Sequence, residues 1–466
     1  MQNKLIILEL NELTPRLMSQ FIDEGALPNF ARLARESATY VTDAGEDPPY
    51  LNPWIQWVTA HSGVPFSQHQ VENLGDASKS AAPSIWDVVS DHGGTVWVCA
   101  SMNAAHKGNI RGLVLPDPWS VHVRPSHTEL APYFEFVRAH VLEYTRDRVP
   151  LGLRQYLRFM WFMARHGLSL ATVTVIARQL LSELFGNTKW RRATLLDRLQ
   201  FDLFRHYYRK LQPDLSTFFV NSTAHFQHVY WRNFEPSHFD LKPTASDQKA
   251  YGEAVRYGYC CMDTIVGKAL DMAGDDATII FATALSQQPC LIYESAGGKM
   301  FHKPRAFEPL LRFAGIDPAS CSAEPVMSEE FHLRFSSAEA AERARAQLLS
   351  LRLGDELVMK AARDGSSLMT GCAVFHEVRP GATVSGARGS VPFESLFYDV
   401  DTTKSGMHHR DGMLWIRRPR GTLRRAEASP VPLESLAPTV LSLLRLHPAA
   451  AMKAEVLPGL ERVSAT

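Results

Sequence analysis

Cysteine is scarce, and what there is does not pair. The six residues Cys99, Cys260, Cys261, Cys290, Cys321 and Cys372 form no C-x-x-C pair and no zinc-finger spacing. That excludes a disulfide scaffold and a thiolate metal site and leaves reduced core thiols. Charge of one sign is missing too: 49 Lys plus Arg balance 49 Asp plus Glu, so no net field selects a nucleic acid, and none is expected as a partner. Long apolar runs are absent. The most apolar stretch, residues 156–181, is interrupted by Arg158, Arg165, His166 and Arg178, and no window of about 18 apolar residues occurs. Met1-Gln-Asn-Lys enters a strand-like stretch without a basic n-region or cleavage site. The expectation is a cytoplasmic protein, with contact at a membrane surface as a variant. No G-x-G-x-x-G, Walker or G-x-S-x-G sequence follows a strand pattern, which removes support for dinucleotide, P-loop and α/β-hydrolase chemistry.

What is present is a soluble-protein balance, 45% hydrophobic and 21% charged over 466 residues, enough for a large core. Short apolar runs at 4–10, 95–99, 216–220 and 277–282 alternate with helical patterns such as 84–91 and 248–272. Strands alternating with helices predict an α/β fold, a mostly parallel sheet sandwiched by helices. Ligands of such sheets sit beyond the carboxyl ends of the strands. Two segments interrupt the alternation. Residues 130–211 read as a helical insertion, and between 135 and 210 Lys/Arg outnumber Asp/Glu by 14 to 6. Its basic face is either simply solvated or a lid or docking surface for an anionic substrate or lipid headgroups. Residues 326–378 read as a small α+β subdomain. The core then comprises 1–129, 212–325 and 379–466.

Several blocks, in order, resemble the alkaline phosphatase superfamily, in particular its type I phosphodiesterase/nucleotide pyrophosphatase branch. Leu5-Ile-Ile-Leu-Glu-Leu-Asn-Glu12 with Phe21-Ile-Asp-Glu-Gly-Ala-Leu-Pro-Asn-Phe-Ala-Arg-Leu33 is similar to its first strand and helix. Leu51-Asn-Pro-Trp-Ile-Gln-Trp57, then Ser62-Gly-Val-Pro65 and His69, resembles the nucleophile segment. Asn221-Ser-Thr-Ala-His-Phe-Gln-His-Val-Tyr-Trp231 resembles a metal-ligand segment, and Gly406-Met-His-His-Arg-Asp-Gly412 the late ligand loop. The segment with Met262-Asp-Thr-Ile-Val-Gly267 and Thr283-Ala-Leu-Ser286, and the closing Leu436-Ala-Pro-Thr-Val-Leu441, complete the series.

The resemblance implies two metals and a Thr or Ser nucleophile, and this chain departs from that pattern. The first-strand Asp falls on Asn11, the nucleophile on Asn52, the mid-chain Asp on Ala224 and an Asp-His pair on Ala284-Leu285. Of the implied ligands only His228 and His408 survive. Three lost carboxylates leave too little negative charge for a dinuclear cradle, and an amide is no activatable nucleophile. The first site keeps no strong ligand unless Glu12 or Glu9 moves in; at the second, two imidazoles hold at most one zinc or other divalent ion, with His225 or His409 to complete the set, and no metal at all is the other reading. The expected pocket comprises Asn11, Glu12, Asn52, His225, His228 and His408. In it His228 and His408 serve as ligands or acid/base groups, and Asn11 and Asn52 orient substrate. Glu9, His61, His69, Thr223 and Asp411 also lie near strand ends, with packing or surface roles as the plainer alternative.

Two functions follow. One is a divergent enzyme acting on an anionic substrate, phosphorylated, glycan-linked or lipid-linked, as a hydrolase or transferase. The other is a catalytically silent relative that binds a ligand, partner or membrane. Oligomeric state is not encoded legibly.

Overall fold

The computed structural model describes residues 3–120, 123–143, 152–325, 330–419, 425–426 and 429–460. Its centre is β1 (Lys4–Leu10), buried at every position after Lys4 and apolar there except for Glu9. A strand covered on both faces needs no polar alternation, which is why this run reads as continuous. It lies between β5 (Leu215–Val220) and β6 (Ala277–Ala282), parallel to both, with Leu5 opposite Leu215 and Thr278. With β2 (Ala38–Asp43), β3 (Val96–Cys99) and β4 (Gly112–Leu115), the order across the sheet is β2, Asp411–Arg417, β6, β1, β5, β3, β4. Among the described strands of this sheet only Asp411–Arg417 runs antiparallel to its neighbours. The mostly parallel α/β architecture is as the sequence predicts. Gly112 is required at the sheet edge: its φ is +134°, and a Cβ there would lie 2.0 Å from the Val96 carbonyl oxygen.

Side-chain alternation along β1 sorts the core into two layers. Ile6, Leu8 and Leu10 join a cluster with Phe21, Phe30, Tyr259 and the insertion, while Leu5 and Ile7 face Trp57, Trp86 and the C-terminal helix Leu436–Leu443. The insertion contributes helices Ala131–Glu143, Leu153–Arg165, Leu170–Ser182 and Ala193–Leu211. The last packs on the sheet, its Phe204 ring 5.1 Å from Phe218 of β5. A four-stranded antiparallel sheet of Met359–Asp364, Ser367–Cys372, Glu330–Phe335 and Cys321–Pro325 supports helix Ala338–Leu348. Its own apolar core collects side chains from Leu310 to Phe397. Among the described residues no helix is long and apolar enough to cross a membrane.

Candidate metal centre

The carboxyl ends of β1, β5 and β6 converge, and the residues leaving them build a polar cluster. Asn11 still pairs with β5 through its N–H on the Val220 carbonyl at 3.1 Å. At Glu12 the chain turns away with φ at +59°, a left-handed conformation that costs a non-glycine residue energy and persists only where neighbours hold it. Here they do. The Glu12 N–H reaches the Thr283 carbonyl at 3.4 Å, and Gln227 Nε2 donates to the Glu12 carbonyl at 2.8 Å. The turn drives a fully buried carboxylate into the cluster.

Two histidines meet it from different elements. His228 lies on helix Ser222–Phe234, which starts directly after β5. His408 lies on strand Gly406–His409, antiparallel to Ser286–Pro289 with Gln287 opposite. His228 Nδ1 is 3.0 Å from the Gly406 carbonyl oxygen and His408 Nδ1 is 2.7 Å from that of Leu51. A carbonyl only accepts, so both Nδ1 atoms carry the proton. The Nε2 atoms then point at one carboxylate oxygen, Oε2 of Glu12, at 3.1 Å from His228 and 3.6 Å from His408. Gln287 Nε2 donates to the same oxygen at 2.5 Å.

Electrostatics fix the charge states. Burial pushes the Glu12 pKa upward, but His408, His228 and the hydrogen bonds from His228 and Gln287 outweigh it and hold the value at about 2. Burial lowers His408 to about 4 against the opposing pull of Glu12, so its ring is neutral near pH 7. A neutral ring protonated on Nδ1 presents an Nε2 lone pair to an ionised oxygen, which is repulsive until a cation sits between them. The three donor atoms lie within 4.8 Å of one another, and two imidazoles plus one carboxylate is a mixed set that suits zinc, iron or manganese. The backbone carbonyls behind both rings supply the outer support such ligands need. The donor set fits a single divalent ion.

Amides surround the carboxylate. Asn11 Nδ2 donates to Glu12 Oε1 and to Asn221 Oδ1, both at 2.7 Å, while Asn11 Oδ1 accepts from Trp57 Nε1 at 2.8 Å. Asn52 stands at the start of helix Pro53–Ser62, next to Leu51, whose carbonyl anchors His408; its Nδ2 donates to the Pro49 carbonyl at 2.8 Å. Asn11, Glu12, His228 and His408 thus come together, with Asn52 one residue from the His408 anchor. His225 does not join them; it lies one turn before His228 on the same helix, exposed and outside the group of three donors. His409 turns aside, accepting the Asp411 N–H on Nδ1 at 3.2 Å. The third donor beside the two histidines is therefore Glu12 rather than His225 or His409.

The remaining strand-end residues pack. Glu9 and His61 form a buried pair, Oε1 to Nε2 at 2.8 Å, with His61 against the Trp57 and Trp86 rings. His61 lies in the last turn of helix Pro53–Ser62. His69 Nε2 lies 3.1 Å from Thr59 Oγ1. Thr223 is buried on helix Ser222–Phe234 with no partner for its hydroxyl, and Ala284 and Leu285 are buried apolar residues. Trp57, which follows Asn52 and is expected from the sequence either in the core or as a pocket wall, reaches the site through Asn11; Asn221, Gln227 and Gln287 escape the sequence reading. Only Asn221 carried a signal, since it follows β5 as Asn11 follows β1.

The sequence matches no protein-family model and no curated protein. Among solved structures, the chain is similar to phosphonoacetate hydrolase from Sinorhizobium meliloti 1021 in complex with phosphonoformate, at 12% identity and a TM-score of 0.45 over 95% of this chain and 96% of that one. It is also similar to murine ectonucleotide pyrophosphatase/phosphodiesterase 5, at 9% identity and a TM-score of 0.44 over 96% of each chain. The human form of that protein gives 8% identity and 0.43 over 98% and 96%. Both proteins belong to the alkaline phosphatase superfamily, the one the motifs resemble. At such identities and TM-scores the likeness describes the path of the chain and carries no substrate or residue role to it.

Proposed function

We propose that Glu12, His228 and His408 hold one divalent metal ion and that the cleft around them acts on a phosphorus-containing or similar anion. The observation that carries this reading is the convergence of two imidazole Nε2 atoms from different elements on a single oxygen of a buried, ionised carboxylate. When bound, the ion supplies Lewis-acid polarisation of a substrate oxygen. A divalent ion on one carboxylate and two neutral rings leaves a net positive centre, which suits an anion. Asn11 has both amide hydrogens committed and holds Glu12 in place. Asn221 uses its oxygen on Asn11, which leaves its NH2 group for substrate. Asn52 sits at the N-terminus of helix Pro53–Ser62, whose dipole favours an anion; Pro53 has no N–H and those of Ile55 and Gln56 bond the Asn52 carbonyl. With an amide rather than a hydroxyl at position 52, hydrolysis proceeds by direct attack of water, without a covalent enzyme intermediate. The same reading places the protein peripherally at a membrane, through the basic insertion, with glycan- or lipid-linked anions among its substrates.

One observation favours a silent relative instead. Asn11, Gln287 and His228 already satisfy both Glu12 oxygens, as a purely structural carboxylate requires. Metal analysis separates the two. The full chain, dialysed and reloaded with zinc, manganese or iron(II), should retain about one ion per chain, and Glu12→Gln and His228→Ala should each lose it. Metal-dependent turnover of a panel of phosphomonoesters, phosphodiesters and phosphonates then identifies the substrate. Equal retention by wild type and both variants overturns the metal reading.

A further inference from the structure

Eleven of the fifteen large apolar side chains exposed among the described residues fall between positions 153 and 185. They are not scattered. Helix Leu153–Arg165 turns Phe159, Phe162 and Met163 inward, toward Tyr133 and Phe136, while Leu157 and Trp161 lie on a second apolar stripe that faces out. Helix Leu170–Ser182 repeats the arrangement with Leu170 and Leu181, and the turn after it ends in Leu184 and Phe185, exposed by 75% and 88%. Residues 152–192 carry seven Lys/Arg and one acid, Glu183, which is already paired with Arg192. The Arg165 guanidinium lies 4.0 Å over the Trp161 ring, an aromatic–cation pair with an apolar body and a charged edge.

We propose that the outward stripes of these two helices insert into the interfacial layer of an anionic lipid bilayer. The inference rests on the membrane-peripheral reading above and deepens it from a basic surface to apolar insertion. A second copy of the chain is the weaker occupant, because the same cationic rim would face itself. Anionic headgroups complement it instead. Each helix has 13 residues, against roughly 20 needed to span, so both lie in the plane of the interface, apolar side down and arginines among the headgroups. The attachment is firm. Just past the stripes, Trp190 packs edge-on against Phe226 and Tyr257 at 5.5 and 5.3 Å, and Phe226 shares its helix with His228.

The test is flotation of the full chain with vesicles of phosphatidylcholine alone or mixed with phosphatidylglycerol, at low and high salt. The chain should float with the anionic vesicles and remain partly bound at high salt, since screening weakens charge attraction but not apolar burial. The double variant Leu184→Glu/Phe185→Glu should lower the partition coefficient on the order of 100-fold, with melting temperature and metal stoichiometry unchanged. Leu157→Glu/Trp161→Glu should do the same from the other helix. If wild type floats only at low salt and both variants float equally well, insertion is wrong while the basic-surface reading stands. No flotation under any condition defeats both. A dimer in light scattering that either double variant dissolves assigns the stripes to a second copy and overturns the proposal.

Discussion

His228 presents Nε2 to Oε2 of Glu12 at 3.1 Å while its Nδ1 is committed to a backbone carbonyl. That relationship leaves the ring no choice of tautomer in its neutral form, so what lies between nitrogen and oxygen is either a proton or a metal ion. His408 repeats it from a different element, at 3.6 Å. Two rings with the same constraint around one carboxylate make a site that only tertiary contact assembles.

Replacing Glu12 by Gln removes the one charge in the donor set and keeps its shape. Wild-type protein should melt higher when metal is added, by the linkage expected of a ligand bound only to the folded state, about 2.7 kcal/mol at a hundredfold excess over Kd. E12Q should show no metal-dependent rise. Calorimetry of dialysed protein with and without zinc reads this directly, and an equal rise in E12Q removes Glu12 from the site.

Trp57→Phe withdraws the indole donor from Asn11 Oδ1 and leaves a buried acceptor unpaired. The expected loss is about 1–3 kcal/mol in urea unfolding. Repeating the substitution in an Asn11→Leu background should cost clearly less, because the stranded acceptor is then gone. Equal costs in both backgrounds would show that the indole matters only for packing.

Gly406→Ala tests the anchor of His228. A Cβ at position 406 would stand 2.5 Å from Gln287 Oε1 and 2.6 Å from the Gln227 carbonyl oxygen, so the loop must shift, at about 1–3 kcal/mol. Because the Gly406 carbonyl orients the imidazole, metal affinity should also fall about 10–100-fold. Isothermal titration that finds unaltered affinity argues that the carbonyl does not position the ring.

Asp197 gives a pH dependence with a definite sign. Burial raises its pKa to about 7, with the Ser222 hydroxyl bond and Arg198 opposing. The folded chain therefore binds this proton more tightly than the unfolded chain, whose carboxyl titrates near 3.8. Stability from this group is present in full below the unfolded value and is lost as pH rises toward 7, by at most about 4 kcal/mol. Asp197→Asn should flatten that slope and gain stability relative to wild type at pH 8. Parallel melting curves for the two proteins across pH 5 to 8 would contradict the assignment.

Parts of the architecture are legible in the chain alone. The runs at 4–10 and 277–282 are β1 and β6 at their full lengths, because a strand buried on both faces is apolar almost throughout, Glu9 being buried only with His61 as its partner. The expected helix over 248–272 is two helices, Ala245–Tyr251 and Ala254–Ala273, with Gly252 at the break. β2 and Asp411–Arg417 were not anticipated: β2 alternates between buried and half-buried positions, and the other strand's partners, Ala38 and Ile280 among them, are distant in sequence. The exposed stripe at 153–185 looked merely interrupted, since a linear reading cannot tell a buried apolar face from one left bare.

The sequence by itself determined the α/β class and the overall neutrality of the chain. These depend on residue types and local periodicity, which are fixed before folding. Tertiary structure alone decided that Glu12, rather than His225 or His409, stands between His228 and His408, and that Asn221 and Gln287 support it. Glu12 faces inward because of a left-handed turn held by Gln227 and Thr283, more than two hundred residues away in the chain. His225 and His228 are i, i+3 neighbours on one face of a helix, so their spacing could not say which of them meets the carboxylate; the docking of that helix on the strand ends brings His228 to Glu12 and leaves His225 outside the donor group.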